Sequence, residues 1–210
     1  MAYSHTTMLS TLLMGIALVA STPAHAVRIL ALGDSLTAGY RLPLEEAFPA
    51  QLQAALKRKY GDIEVLNGGL SGDTTAGGLS RLEWALADKP DAVIIELGAN
   101  DALRGLPTET THANLDAILE RLVQDDTPVL LTGMLAPPNM GPNYANAFNA
   151  IFPNLAEKYQ TVFYPFFLDG VAANPDLNMA DGMHPTAEGV AIIVDNILPS
   201  VYKLLNKLDQ

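Results

Sequence analysis

The sequence predicts an α/β fold in which helices cover both faces of a five-stranded parallel sheet. Apolar runs alternate with helical patterns along the chain, which is typical of parallel sheets built from β-α-β units. Strongly apolar runs such as Val93–Leu97 fit strands that are buried on both faces. Residues 27–210 suit a single domain by their length. We expect the strand order 2-1-3-4-5, although the alternation alone does not fix it.

The first half of the chain is predicted to form two strands and two helices. Val27–Leu32 is a short, mainly apolar run at the start of this segment and is predicted as the first strand. Phe48–Tyr60 carries leucines four residues apart, a spacing that indicates a helix. Ile63–Leu66 is predicted as the second strand, ended by an Asn-Gly-Gly turn signal. Thr74–Ala87 is predicted as the second helix.

The second half continues the same alternation. Val93–Leu97 is predicted as the third strand, opened by a Lys-Pro-Asp turn. Thr111–Val123 is predicted as a helix because its leucines and isoleucine recur on one face. Val129–Thr132 is an apolar fourth strand. The closing elements are a helix at Asn146–Tyr159 that contains Pro153, a strand at Thr161–Tyr164 and a helix at Thr186–Leu205.

Residues 1–26 are predicted to be a secretory signal peptide. The apolar stretch Met8–Ala20 is followed by Ala24-His25-Ala26, an A-x-A pattern that predicts cleavage after Ala26. The segment before the apolar stretch has no Lys or Arg, which leaves an uncleaved anchor as the alternative. Because the stretch is short for a membrane span, we expect a periplasmic or secreted protein with no stable membrane insertion after cleavage.

The composition excludes several classes of partner and site. A net charge of −11 argues against binding nucleic acid or anionic membranes, which needs clustered Lys and Arg. The cluster Lys57-Arg58-Lys59 is instead predicted to be the exposed last turn of a helix. The chain has no cysteine, which excludes disulfides, a thiol nucleophile and a Cys-based zinc site. We expect no metal, no cofactor and a monomer.

Two histidines remain after the predicted cleavage, and His184 is the favoured base. His112 begins a helix with a polar face and is expected at the surface. His184 follows Asp181 by three residues in a turn that contains glycine. A carboxylate so placed accepts the Nδ1 hydrogen and turns Nε2 toward a nucleophile. The alternative is a surface turn capped by Asp181, since Asp-Gly is a common turn dipeptide.

Ser35 is the favoured nucleophile among the four serines of residues 27–210. No serine lies in G-x-S-x-G, so the usual α/β-hydrolase elbow is absent. Ser80 and Ser200 fall on predicted helices, whereas Ser71 lies in a Gly-rich turn and is a competitor. Ser35 directly follows the first strand, at the carboxyl edge of the sheet where α/β folds place their chemistry. The alternative is that Asp34 and Ser35 only cap a helix.

Two further turns offer hydrogen-bond donors for an oxyanion, the negative oxygen that forms during acyl transfer. In Gly69–Thr74, Gly72 allows its backbone N–H to approach a substrate closely. In Gly98–Asp101, Asn100 offers a side-chain amide, and the Ser35 N–H is a third donor. A nucleotide site is the weaker alternative, because neither a P-loop nor a dinucleotide-binding glycine motif is present.

A proline-containing loop, Leu135–Tyr144, is expected to wall the acyl site. Loops of this length in compact domains are usually functional. Met134, Met140 and Met179 either line an adaptable apolar pocket or fill gaps in the core. The residues expected to contact substrate are Asp34, Leu36, Pro138, Asn139, Tyr144 and Met183.

Four blocks of the sequence resemble, in order, those of the GDSL, or SGNH, hydrolase family. They are Gly33-Asp34-Ser35-Leu36, Gly72, Gly98-Ala99-Asn100-Asp101 and Asp181-Gly182-Met183-His184. The extended blocks 33–40 and 67–74 are similar to those of small periplasmic bacterial esterases. The resemblance implies a flavodoxin-like α/β/α fold. It also implies Ser35 as nucleophile, His184 as base oriented by Asp181, and an oxyanion hole of the Ser35 N–H, Gly72 and Asn100.

The expected activity is therefore ester hydrolysis through an acyl-enzyme, without a cofactor. Expected substrates are small molecules, namely aryl esters, short-to-medium acyl esters, lysophospholipids and acyl thioesters. The net charge of −11 would not steer a highly anionic acyl-CoA toward the site. The alternatives are a carbohydrate O-deacetylase and a non-catalytic binding module on the same fold.

Overall fold

A five-stranded parallel sheet in the order β2-β1-β3-β4-β5 lies at the centre of the protein. The computed structural model describes residues 1 and 26–208. Its strands are β1 Val27–Gly33, β2 Ile63–Gly69, β3 Ala92–Glu96, β4 Val129–Thr132 and β5 Val162–Tyr164. The predicted fold class and strand order are confirmed. The order reverses at β1, between β2 and β3, and such a switch point is where open α/β sheets bind their ligands.

Two layers of helices cover the sheet. One layer pairs α2, Phe48–Tyr60, with α8, Ala187–Leu205. The other layer groups three helices, which are α3 Thr75–Ser80, α6 Thr108–Gln124 and α7 Pro142–Tyr159. Every residue of β3 and β4 is buried between the layers, as expected for strands covered on both faces. The other α-helices of the described residues are short, namely α1 Ser35–Ala38, α4 Leu82–Ala85 and α5 Ala99–Leu103.

The predicted helix Thr74–Ala87 is wrong in its continuity. It is divided into α3 and α4 at Arg81, whose backbone leaves helical geometry at φ −106° and ψ 6°. The Arg81 guanidinium donates to the carbonyls of Gly33 and Gly68 at 2.9 and 2.8 Å and pairs with Asp73 at 2.7 Å. We attribute the break to these charge-assisted bonds at the end of the sheet, which tertiary contact supplies and helix periodicity does not reveal.

The predicted end of the second strand at Leu66 is also wrong, because β2 continues through Gly69. Gly68 and Gly69 pair with Leu32 and Gly33 in the sheet. A Cβ on Gly69 would lie 2.2 Å from the Ala38 nitrogen. These glycines therefore serve the close approach of α1 to the sheet and do not end the strand.

Helix boundaries also differ from prediction elsewhere, and α6 begins at Thr108 instead of Thr111. The turn Gly98–Asp101 continues into the short helix α5, and α7 begins at Pro142, a residue type that suits a first helical turn.

Residues 165–186 form a long irregular segment between β5 and α8. The basic cluster Lys57-Arg58-Lys59 lies exposed in the last turn of α2, as predicted.

Most of the predicted signal peptide, residues 2–25, lies outside the described residues. Within the part of the chain that the structure describes, no helix combines the length and the apolar character needed to cross a membrane.

Candidate active site

Ser35 is the first residue of α1, directly after the switch-point strand β1. Asp34 caps this helix, because its carboxylate accepts the Leu36 N–H at 3.0 Å. The helix cap expected as the alternative role of Asp34 and Ser35 is thus present. It also fixes the position of the Ser35 hydroxyl, so capping and chemistry do not compete here.

Ser35, His184 and Asp181 form one hydrogen-bonded chain. The Ser35 Oγ lies 2.9 Å from His184 Nε2, and His184 Nδ1 lies 2.9 Å from Asp181 Oδ2. The segment after β5 brings His184 to Ser35 from 149 residues away in the sequence. With the Nδ1 proton directed to Asp181, Nε2 is free to accept the hydroxyl proton.

The carboxylate of Asp181 is held by three donors. Its Oδ1 accepts the backbone N–H groups of His184 and Met183 at 3.0 and 2.9 Å. These bonds, followed by the bond from the His184 ring, hold the pKa of Asp181 well below its ordinary value. The group therefore stays ionised in the neutral range and orients the imidazole throughout it.

The candidate oxyanion donors lie on three different parts of the chain: Ser35 on α1, Gly72 in the loop after β2 and Asn100 on α5. Gly72 has φ 81°, in the left-handed region that favours glycine. Within the described residues its N–H has no hydrogen-bond acceptor. The Asn100 amide donates to Asp34 Oδ2 at 2.9 Å, which uses one of its two amide hydrogens. The other hydrogen is available to a bound ligand.

An apolar cavity of about 560 Å³ opens beside Ser35 and Asn100. Of the residues expected to contact substrate, Asp34, Leu36, Pro138 and Met183 border it. Asn139 and Tyr144 do not. Asn139 is exposed on a 3₁₀ turn. The Tyr144 hydroxyl donates to the Leu106 carbonyl at 2.9 Å, which turns that side chain toward the connection after α5.

The second wall of the cavity was not foreseen from the sequence. Phe166, Leu168, Ala172 and Ala173 line it from the irregular segment that also carries His184. The available signal was the apolar run that continues beyond β5. Met134 borders the cavity as well, whereas Met140 and Met179 do not.

The competing candidates lie apart from this arrangement. Ser71 is exposed, and among the described residues no imidazole bonds its hydroxyl. His112 lines a separate groove between α6 and α7. The structure therefore brings together one serine, one histidine and one aspartate.

Comparison with known proteins decides the family. The GDSL-like lipase/acylhydrolase family matches residues 31–192. The chain belongs to this family. An arylesterase of Vibrio mimicus is 41% identical over 179 residues, 85% of this chain and 90% of that one. The thioesterase 1/protease 1/lysophospholipase L1 of Escherichia coli K12 is 37% identical over 184 residues, 87% of each chain. The crystal structure of AlinE4, an SGNH-hydrolase family esterase, superposes with a TM-score of 0.73 and 46% identity, covering 88% of this chain and 99% of that chain.

This GDSL-like hydrolase also carries a buried pair of carboxyl groups below the Ser35 turn. Glu96 ends β3, and its Oε2 accepts from Thr37 Oγ1 at 2.9 Å and from the Asp34 N–H at 3.3 Å. Burial raises the pKa of Asp34 to about 6. Burial, with the nearby charge of Asp34, raises the pKa of Glu96 well above its ordinary value. Glu96 was not among the site residues expected from the sequence.

Glu96→Gln should weaken the dependence of stability on pH. Because the folded-state pKa of Glu96 lies above its unfolded value, folding requires proton uptake once pH exceeds about 4.5. That requirement destabilises the fold increasingly as pH rises toward the folded pKa. The stability of Glu96→Gln relative to the wild type should therefore increase from pH 5 to pH 8, as measured by urea unfolding.

Glu64→Gln is the matched control, because Glu64 is exposed on β2. It should follow the pH dependence of the wild type. If the free energy of unfolding of Glu96→Gln also changes in parallel with that of the wild type from pH 5 to pH 8, Glu96 does not take up a proton on folding.

Two networks of polar side chains connect the elements that carry the candidate active site. Arg81 bonds the ends of β1 and β2 and also pairs with Asp73, the residue after Gly72. Asp101, next to Asn100, is buried and accepts from the N–H of Thr75 at 2.9 Å. Together these bonds connect the Ser35 turn, the Gly72 loop and α5.

Proposed function

We propose that the protein is a serine esterase that hydrolyses small carboxylic esters through an acyl-enzyme. The observation that carries the proposal is the continuous hydrogen-bonded chain of Ser35, His184 and Asp181 beside an apolar cavity. A nucleophile, a base and an orienting acid in this arrangement are the parts that acyl transfer needs.

The proposed reaction has two steps. The Ser35 oxygen attacks the carbonyl carbon while His184 Nε2 takes the hydroxyl proton, which gives a tetrahedral oxyanion. His184 then gives this proton to the leaving oxygen, the ester bond breaks, and the acyl group remains on Ser35. Water, deprotonated by His184, then attacks the carbonyl carbon of the acyl-enzyme. His184 returns the proton to the Ser35 oxygen as the bond between that oxygen and the acyl carbon breaks, which releases the carboxylic acid. The Ser35 N–H, the Gly72 N–H and the Asn100 amide are the proposed oxyanion donors.

The cavity is the proposed site of the acyl group. Its lining of Leu, Met, Pro, Phe and Ala side chains suits an aliphatic chain better than a sugar, which would need several hydrogen-bond partners. The names of the relatives, an arylesterase and a thioesterase/lysophospholipase, favour aryl esters, acyl thioesters and lysophospholipids as substrates. A binding module is disfavoured because it would not need the complete triad.

A panel of 4-nitrophenyl esters from C2 to C16, with an acetylated sugar, tests this function. Each buried CH₂ contributes about 0.8 kcal/mol, so kcat/KM should rise up to roughly fourfold per carbon until the cavity is filled. The acetylated sugar should be a poor substrate. A flat chain-length profile with a preference for the sugar would support the deacetylase alternative.

We also propose that the protein is exported and cleaved after Ala26. The support is the apolar stretch and A-x-A pattern of residues 8–26. N-terminal sequencing of the protein from the periplasmic fraction should give Val27 as the first residue. A protein that begins at Met1 and is recovered in the membrane fraction would be an uncleaved anchor instead.

A further inference from the structure

The ring of Tyr40 packs against the imidazole of His184. The two ring centroids lie 4.3 Å apart, and the ring planes are inclined by 36°. No step of the proposed reaction uses Tyr40. We propose that Tyr40 is a positioning residue that holds His184 for proton transfer to the leaving group. This role rests on the proposed esterase function.

Tyr40 is anchored to the residue that carries the nucleophilic oxygen. Its backbone N–H donates to the Ser35 carbonyl at 3.1 Å, beside the N–H of Gly39 at 3.2 Å. Gly39 has φ 78°, and a Cβ there would lie 2.5 Å from the Ala47 Cβ, so glycine is required for this turn. The turn thus fixes the Tyr40 ring relative to Ser35 and not only relative to His184.

Arg41 makes a second contact with the Tyr40 ring. Its guanidinium carbon lies 5.0 Å from the ring centroid, within the range of a cation–π contact. Arg41 has φ 59°, in the left-handed region that side chains rarely adopt. Among the described residues it forms no ion pair with a carboxylate. The contact with Arg41 is therefore a second anchor of the Tyr40 ring.

The hydrogen bonds of His184 do not restrain every motion of its ring, and contact with Tyr40 restrains the remaining one. Asp181 and Ser35 hold the two ring nitrogens in the plane of the imidazole. Hydrogen bonds at these two nitrogens resist rotation of the imidazole within its own plane. They resist much less a tilt of the ring about the line that joins the two nitrogens. Contact with an aromatic face resists the tilt, and the same face attracts the imidazolium that forms during the reaction.

The restraint matters most when Nε2 must leave Ser35 and protonate the leaving oxygen. An alkoxide is a strong base and departs only with that proton, whereas 4-nitrophenolate departs with little protonation. Loss of the Tyr40 ring should therefore slow the hydrolysis of alkyl esters more than that of nitrophenyl esters with the same acyl group. A loss of folded protein would slow both equally.

The test compares kcat/KM for ethyl butyrate and 4-nitrophenyl butyrate in the full chain. Tyr40→Ala should lower the value for ethyl butyrate roughly 10- to 30-fold and that for 4-nitrophenyl butyrate several-fold less, through kcat more than KM. Tyr40→Phe should restore both, because it keeps the aromatic ring that packs on His184. Tyr40→Leu retains apolar bulk and should fall between them.

Tyr60→Ala is the matched control, since Tyr60 packs on Tyr202 at the end of α2. This variant should leave kcat/KM unchanged for both esters. Equal losses for the two esters in Tyr40→Ala and Tyr40→Leu would overturn the positioning role. A rise in KM for the nitrophenyl ester alone would also overturn it and make Tyr40 an aryl-binding residue. If the wild type hydrolyses neither ester, the esterase proposal itself fails.

Discussion

Replacing Ser35 by alanine should reduce kcat for ester hydrolysis roughly 10⁶-fold, a loss typical of removing the nucleophile from a serine hydrolase triad. The Ser35 hydroxyl makes one side-chain hydrogen bond, to His184, so its removal should leave the free energy of unfolding within about 1 kcal/mol. Stopped-flow assay with 4-nitrophenyl butyrate should show no burst of nitrophenol. Urea unfolding should confirm that the variant is folded.

Ser71→Ala is the control for this result, because Ser71 is the competing serine and lies exposed in the neighbouring turn. It should retain activity within about threefold of the wild type, since surface substitutions usually have small effects. An inactive Ser71→Ala variant beside an active Ser35→Ala variant would move the nucleophile to the Gly72 loop and refute the proposed triad.

The residues near the ends of strands could be predicted from the sequence because local pattern fixes their position. Ser35 directly follows an apolar strand, and Asn100 follows the next buried one along the edge of the sheet. The carboxyl ends of parallel strands meet at one edge, so these groups had to lie near each other. His184 could be chosen because few histidines remain and Asp181 stands three residues before it.

The groups that support the site were harder to predict because their partners are distant in the sequence. Glu96 lies in a run that was interpreted only as an apolar strand, yet a carboxyl group inside such a run is itself a signal of a buried polar contact. Arg81 was placed on a regular helix, although its guanidinium bonds carbonyls 13 and 48 residues away. Neither contact leaves a periodic trace.

Asn100→Ala should lower kcat about 10²- to 10³-fold while KM changes little, because the amide is proposed to bond the oxyanion and not the ground-state ester. The same amide donates to the buried Asp34 carboxylate at 2.9 Å. Its loss should therefore also lower the free energy of unfolding by about 1–3 kcal/mol. Steady-state kinetics on 4-nitrophenyl butyrate and urea unfolding measure the two effects separately.

Asn196→Ala separates a general effect of losing an amide from the effect at this position. The Asn196 side chain is exposed on α8 and donates to the Asp169 carbonyl at 3.0 Å, so its kinetics should match the wild type. A rise in KM at unchanged kcat in Asn100→Ala would place Asn100 among the substrate-binding residues. A loss of stability at unchanged kinetics would leave it as a support for Asp34, with the oxyanion bound by the backbone donors of Ser35 and Gly72 alone.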